Sequence, residues 1–305
     1  MVHVHNFSYG ALNPVLAYVA SCVGCFIGLR CTTRARASEG RARAFWLVIA
    51  SVAIGMMGIW VMHFVAMLGF TIPGQTILYN VPVTVLSMLI AIAVVGVGLF
   101  VVGYGKRGAR RLLLGGAAIG CGVASMHYIG MAAIRTQDTM SYSLALVAAS
   151  VVIAVIAGTA ALWAALRLES AWSAFVASMI MGVAVSGMHY TGMAALRVHA
   201  TAFSALPALS APASVSASAT AFLLPLIIGI SCTGFIFSAV IALSPTAAEM
   251  LAEADLMARL GTRAPDMHTA QRVRQPQAHD SGLAGRPEPG SLFRGHQSAR
   301  QQDEP

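Results

Sequence analysis

Seven long apolar runs constrain the fold of this chain more than any other feature. They lie near residues 12–30, 44–70, 83–105, 112–134, 143–166, 171–196 and 220–243. A helix needs about 20 apolar residues to cross the hydrocarbon core of a bilayer, and in lipid it satisfies its own backbone polar groups. Only 10 % of the 305 residues are charged, whereas a soluble domain has about a quarter. The sequence therefore predicts an all-α polytopic membrane protein with seven transmembrane helices.

The basic residues between the runs predict how these helices are oriented. Ten Lys and Arg residues fall in the first, third and fifth connections, whereas the even-numbered connections hold only Arg135 and Arg197. Because an excess of basic residues marks the cytoplasmic side, we expect the N-terminus outside and the C-terminus in the cytoplasm. The net charge of +8 is then a topology signal, and it does not indicate a nucleic-acid partner.

Composition divides the chain into three predicted segments. They are an extracytoplasmic N-terminus at 1–11, a membrane domain of helix-pair repeats at 12–243, and a cytoplasmic tail at 244–305. Ala247 to Leu260 fits a short amphipathic helix, and from Gly261 the composition is typical of disorder. Because the tail is too short for a typical enzymatic output domain, we expect the chain not to be an enzyme.

A repeated string carries the side-chain chemistry. The pattern M-H-[FY]-x-[AG]-M occurs at Met62–Met67, Met126–Met131 and Met188–Met193, in the second, fourth and sixth runs. At 1.5 Å per residue, each motif histidine lies roughly 22 to 28 Å from the inner end of its helix. We therefore expect the three imidazoles at similar depths in the outer part of the bilayer, where they can meet.

The spacing within the motif predicts the metal donors. On a helix, a histidine and the methionine four residues later are about 40° apart and share a face. The predicted inward pairs are His63 with Met67, His127 with Met131, and His189 with Met193. The methionines just before each histidine are about 100° away and are second choices: Met62, Met126 and Met188. Tyr128 and Tyr190 can support the histidines as second-shell donors, whereas Phe64 cannot.

Imidazole nitrogen and thioether sulfur suit copper, particularly Cu(I). The runs contain no acidic residue, which argues against calcium, magnesium and manganese, and zinc more typically recruits cysteine or carboxylate. A lone buried histidine is more often a packed residue than a ligand, and methionine commonly fills cores. Ionisable groups inside a membrane are nevertheless functional candidates, and their threefold recurrence at one depth favours a metal site.

The three strings resemble the MHYT domain, an integral membrane sensor module of bacteria, over roughly residues 8 to 243. The resemblance implies seven helices in the bacterial cytoplasmic (inner) membrane, with copper bound by the nine Met and His residues above. It also implies sensing of a diatomic gas such as O2, CO or NO. Many relatives carry a cyclic-dinucleotide-turnover domain, whereas here only the tail follows. We therefore expect a stand-alone member whose signal is received by a cytoplasmic partner or by the tail itself.

Three functions remain open from the residues alone. The first is a non-enzymatic receptor that holds copper and senses a gas. The second is a copper transport or delivery protein, with a Met-rich site that accepts Cu(I) at the outer face. The third is a membrane electron carrier in which two histidines on facing helices ligate one haem. The sequence does not identify the gas, the signalling partner or the oligomeric state.

Overall fold

The computed structural model describes residues 5–105, 108–136, 138–199, 216–218, 221, 224–243 and 255–259. The helices are α1 (Leu12–Arg36), α2 (Gly40–Val52), a π-helical segment (Ala53–Val61), α3 (Met62–Met67), α4 (Val81–Tyr104), α5 (Ala109–Ala132), α6 (Leu144–Arg167), α7 (Ala171–Ala195) and α8 (Leu224–Leu243). The second, third and fourth of these elements form one continuous span of 28 residues, Gly40–Met67.

Six of the described helices are long and apolar enough to cross a membrane. They coincide with the first six predicted runs, so the multi-pass helical fold is confirmed. The seventh run coincides with α8, whose stretch Leu224–Gly234 is apolar but shorter than a span. The count of seven and the orientation of the termini therefore stay predictions.

The contacts within the chain define one unit at Met1–Met250 and a second at Leu251–Pro305. In the second unit the described residues 255–259 are helical, with an ion pair of 2.8 Å between Arg259 and Asp255. The predicted disorder from Gly261 lies outside the described residues. The boundaries of the three predicted segments stay predictions.

Helix α1 runs six residues beyond its apolar stretch, to Arg36. The guanidinium of Arg36 donates hydrogen bonds to the carbonyl oxygens of Ala165, at 2.8 Å, and of Leu168. These acceptors lie at the C-terminal end of α6, where helix carbonyls lack partners in the helix. The bonds tie the ends of α1 and α6 together.

Small residues let the spans approach closely, as is common in membrane bundles. A Cβ added to Gly24 on α1 would overlap the backbone of Gly58 in the π-helical segment. A Cβ on Gly120 of α5 would likewise overlap the backbone of Val155 on α6. The Gly-rich and Ala-rich composition of the runs therefore has a direct packing role.

Short strands pair the loops at the motif end of the bundle. Strand β1 (Leu78–Asn80) pairs antiparallel with β2 (Ile134–Arg135) and β5 (Ser216–Ser218), and β3 (Thr139–Tyr142) pairs with β4 (Leu196–His199). Strands β2 and β4 begin within two residues of the ends of α5 and α7, so the strands join the ends of the motif helices. Strands of two to four residues are too short to show a period-two pattern, and the sequence did not predict them.

Candidate metal centre

The three motif histidines meet at one point. They come from α3, α5 and α7, and each is 0 or 1 % exposed. The Nδ1 atom of His63 lies 3.0 Å from that of His189 and 3.2 Å from that of His127, and the third separation is 3.3 Å. Among the described residues, these three form the cluster of His, Cys, Asp or Glu side chains that can hold a metal ion.

The size of this triangle fits a single ion. Three atoms at these separations are each about 1.8 Å from their common centre, and an ion about 0.8 Å out of their plane would lie about 2.0 Å from each, the usual metal–imidazole distance. Nitrogens of neutral imidazoles that face one another this closely need either a shared proton or a cation between them. The donor set therefore fits a metal ion with three nitrogen ligands.

The rings are arranged like the blades of a propeller. Their centroids are 4.9, 4.9 and 5.1 Å apart, and the interplanar angles are 83°, 78° and 87°. The small residue at the fifth motif position makes room for them. A Cβ on Gly130 would come within 2.6 Å of Nε2 of His63, and one on Gly192 within 2.5 Å of Nε2 of His127. The small residue of one motif thus accommodates the histidine of the motif before it.

The outward nitrogens of two histidines have no hydrogen bond. Nε2 of His63 and Nε2 of His127 are buried and find no partner among the described residues. Metal-bound histidines usually donate this second N–H to an oxygen atom. At this centre, packing against glycine fixes the rings of His63 and His127 instead.

The hydroxyls of the two motif tyrosines have different surroundings. The hydroxyl of Tyr128 lies 2.7 Å from Oγ of Ser150 on α6. The buried hydroxyl of Tyr190 has no hydrogen-bond partner in the described part of the chain. Each tyrosine ring packs edge-on against the ring of the histidine before it, with centroids 4.8 Å apart for Tyr128 and 4.9 Å apart for Tyr190, and the supporting role of both tyrosines stays a prediction.

All six motif methionines are buried. They are 0 to 3 % exposed: Met62, Met67, Met126, Met131, Met188 and Met193. On each helix the later methionine shares the histidine face, because four residues make little more than one turn. Burial is compatible with ligation as well as with packing, so their role as donors stays a prediction.

The first motif is preceded by nine residues of π-helix. Trp60 in this segment is fully buried, and its indole N–H lies 3.0 Å from Oγ of Ser87 and 3.3 Å from the carbonyl oxygen of Thr84. Its ring packs on Phe64 with centroids 4.7 Å apart. Segments of π-helix within α-helices frequently occur at functional sites. Here Trp60 holds the π-helical segment that leads to His63 against α4.

Strands β1 to β5 and the N-terminal residues 5–7 form a layer at the motif end of the bundle, here called the loop layer. This layer contacts the motif residues. Phe7 packs on Tyr190 with ring centroids 5.6 Å apart, and a backbone bridge joins His5 to Thr71. Tyr79 on β1 is 1 % exposed and packs on Phe64. Burial raises the pKa of Tyr79 above its usual value, so this side chain brings no charge to the layer.

Sequence reasoning missed two features of the centre. It noted the small residue at the fifth motif position but not that Gly130 and Gly192 contact histidine rings. It also missed Ser150, the partner of Tyr128. The first feature has a sequence signal in the [AG] of the motif, whereas a serine on another helix has none.

Comparisons with known proteins agree with this architecture. The family model MHYT, described as a bacterial signalling protein N-terminal repeat, matches residues 57–115 and 120–178. Each match begins five or six residues before a motif. No solved structure matches the chain.

Several curated proteins are similar to the chain. The bifunctional diguanylate cyclase/cyclic di-GMP phosphodiesterase MucR of Pseudomonas aeruginosa is 36 % identical over 64 % of this chain and 29 % of its own length. The cyclic di-GMP phosphodiesterase NbdA of the same species is 37 % identical over 63 % of this chain and 25 % of its length. A signalling protein of Caulobacter vibrioides is 36 % identical over 61 % of this chain and 23 % of its length.

Residues 57–115 and 120–178 thus match the MHYT repeat of bacterial signalling proteins, and the similar proteins with printed functions are signalling proteins. The chain is a multi-pass membrane protein that resembles their sensor regions. It spans less than a third of the length of these relatives, so the enzyme activities in their names do not carry over to it.

Proposed function

We propose that this chain is a sensor of the bacterial inner membrane, with copper bound at His63, His127 and His189. In this proposal it senses a diatomic gas and signals to a cytoplasmic partner. The observation that supports it is the convergence of three buried Nδ1 atoms within 3.3 Å. The matched repeat supports the signalling role, since it is described from bacterial signalling proteins.

The charge of the surroundings favours a monovalent ion. The three nitrogen donors are neutral when they bind a metal, and the helices α1 to α8 contain no acidic residue. The cost of burying an ion in an apolar medium rises with the square of its charge in the Born picture. Cu(I) therefore costs less to bury here than a divalent ion, and it also accepts nearby thioether sulfur.

The chain holds its three donors in a fixed arrangement away from water. The rings pack against Gly130 and Gly192, and the loop layer covers the end of the bundle. Copper, when bound, would supply an open coordination position for a diatomic ligand. Because the donors lie on three spans, a change in their separation moves α3, α5 and α7 relative to one another. We propose that this movement carries the signal.

Two alternatives fit the geometry less well. The axial ligands of a haem lie on opposite faces of a planar ring, and three nitrogens within 3.3 Å leave no room for that ring between them. A transport protein needs a further station for its ion, and the part of the chain that the structure describes holds one cluster of metal-binding side chains.

Elemental analysis of the purified protein tests the copper centre. We expect about one copper per chain in the wild type and in His199→Ala, a control at an exposed position of strand β4. His127→Ala and His189→Ala should each lose the bound copper. Full copper in the two triad variants would contradict the ligand assignment, and stoichiometric zinc in place of copper would contradict the choice of metal. Spectra with and without carbon monoxide then test gas binding.

A further inference from the structure

An apolar cavity lies in the middle of the bundle, one helical turn from the histidine triad. Ile59, Val123 and Val185 line it, and each stands four residues before a motif histidine on the same helix face. Met188, which precedes His189, also lines the cavity. The cavity therefore continues the axis around which the three histidines are arranged.

The lining decides which molecules this cavity can hold. Its wall consists of aliphatic side chains, methionine, glycine and the thiol of Cys25. A buried water needs two to four polar partners, and a single thiol cannot supply them. The volume of the cavity that is open to the centres of water-sized spheres is about 40 Å³. By the same measure, one water needs about 10 to 15 Å³. Its chemistry and size suit a small apolar molecule better than water.

We propose that this cavity is a binding site for one apolar molecule of diatomic size. Ala157 and Ala161 on α6 line one wall and are partly exposed on the outside of the bundle. A molecule dissolved in the lipid can enter there, because lipid and cavity are equally apolar. Its role as a store of ligand beside the metal rests on the proposed function, whereas occupancy of the cavity does not need the metal.

Xenon is a suitable probe, because it binds in dry apolar cavities and scatters X-rays anomalously. We would pressurise crystals of the full chain with xenon and compare two matched variants of α7. Val185 is 7 % exposed and lines the cavity, whereas Val183 is 63 % exposed on the outer surface of the same helix. Val185→Phe fills the cavity, and Val183→Phe adds the same atoms outside it.

We expect a xenon peak between Val123 and Val185 in the wild type and in Val183→Phe, and its loss in Val185→Phe. Val185→Ala, which enlarges the cavity, should keep or strengthen the peak and guards against misfolding of the phenylalanine variant. No peak in the wild type, or an equal peak in Val185→Phe, would overturn the proposal.

Copper measured in the same preparations separates the two proposals. Xenon bound without copper would leave the cavity standing and remove the metal centre. Copper bound without xenon would do the reverse.

Discussion

The first motif and the third motif reach the same point by different helical paths. Met188–Met193 lies within regular α-helix, whereas Met62–Met67 follows the π-helical segment Ala53–Val61. The first motif also has Phe64 and Ala66 where the third has tyrosine and glycine. The Nδ1 atoms of their histidines nevertheless lie only 3.0 Å apart. The first and third motifs thus place their imidazoles at the same point, although the helix before the motif and two of the motif residues differ between them.

The largest effect should come from filling the space that the glycine of one motif leaves for the histidine of the motif before it. Gly192→Ala places a methyl group within 2.5 Å of Nε2 of His127, so this ring must move. We expect a loss of about 1–3 kcal/mol in stability from overpacking and at least about a tenfold loss of copper affinity, the scale seen when groups that orient metal ligands are changed. Titration with a competing copper chelator measures the affinity.

Gly187→Ala on the same helix is the control. A Cβ there meets nothing within 4 Å, so copper affinity should stay unchanged. If both variants bind copper equally well, contact between a glycine and a histidine ring does not set the geometry of the centre.

A smaller effect should follow from weakening the contacts that hold the π-helical segment before the first motif against α4. Trp60→Phe removes the indole N–H that contacts Ser87 and the backbone of Thr84. We expect a loss of about 2 kcal/mol, because a hydrogen bond contributes about 1 kcal/mol and the smaller ring leaves a void. Thermal unfolding in detergent measures this loss, with Trp172→Phe, at an exposed site, as control. Equal stability of the two variants would show that Trp60 does not hold the first span against α4.

The two tyrosines should differ in a way that separates structural from metal-supporting roles. Tyr128→Phe loses the bond to Ser150 and should cost about 1 kcal/mol in stability. Tyr190→Phe removes a buried hydroxyl that lacks a partner among the described residues, so stability should stay equal or rise. Unfolding curves and copper content are compared for both. Loss of copper in either variant would support the predicted role of that tyrosine in holding its histidine.

The smallest effect concerns the first motif alone. Ala66→Gly makes its fifth position match the other copies and should cost about 0.5–1 kcal/mol, the helix penalty of glycine, with copper retained. Chemical unfolding of wild type and variant measures the difference. A gain in stability would mean that the alanine methyl is crowded, as a methyl at Gly130 or Gly192 would be.

Much of the fold could be predicted because lipid restricts the choices. The first six runs coincide with helices since an apolar segment in a membrane must satisfy its own backbone. The meeting of His63, His127 and His189 was predicted from their similar depths. The rise and the turn of a helix per residue give the depth and the helix face of each histidine. These two quantities were sufficient to predict that the three rings can meet.

The remaining features depend on contacts between distant parts of the chain. The π-helical segment before His63 is one example, because it lies where Gly55 packs against the backbone of α4. The bond between Tyr128 and Ser150 is another, since the motif does not show which residue of α6 will face the hydroxyl. No local pattern encodes such partners, and only the packed bundle shows them.

Copper K-edge X-ray absorption on the purified protein tests the central claim most directly. Three imidazoles around one ion predict three nitrogen scatterers at about 2.0 Å, with the multiple-scattering pattern of histidine, and loss of this copper signal in His63→Ala. A copper bound only by sulfur at about 2.3 Å, or an unchanged spectrum in His63→Ala, would contradict a centre built from the three motif histidines.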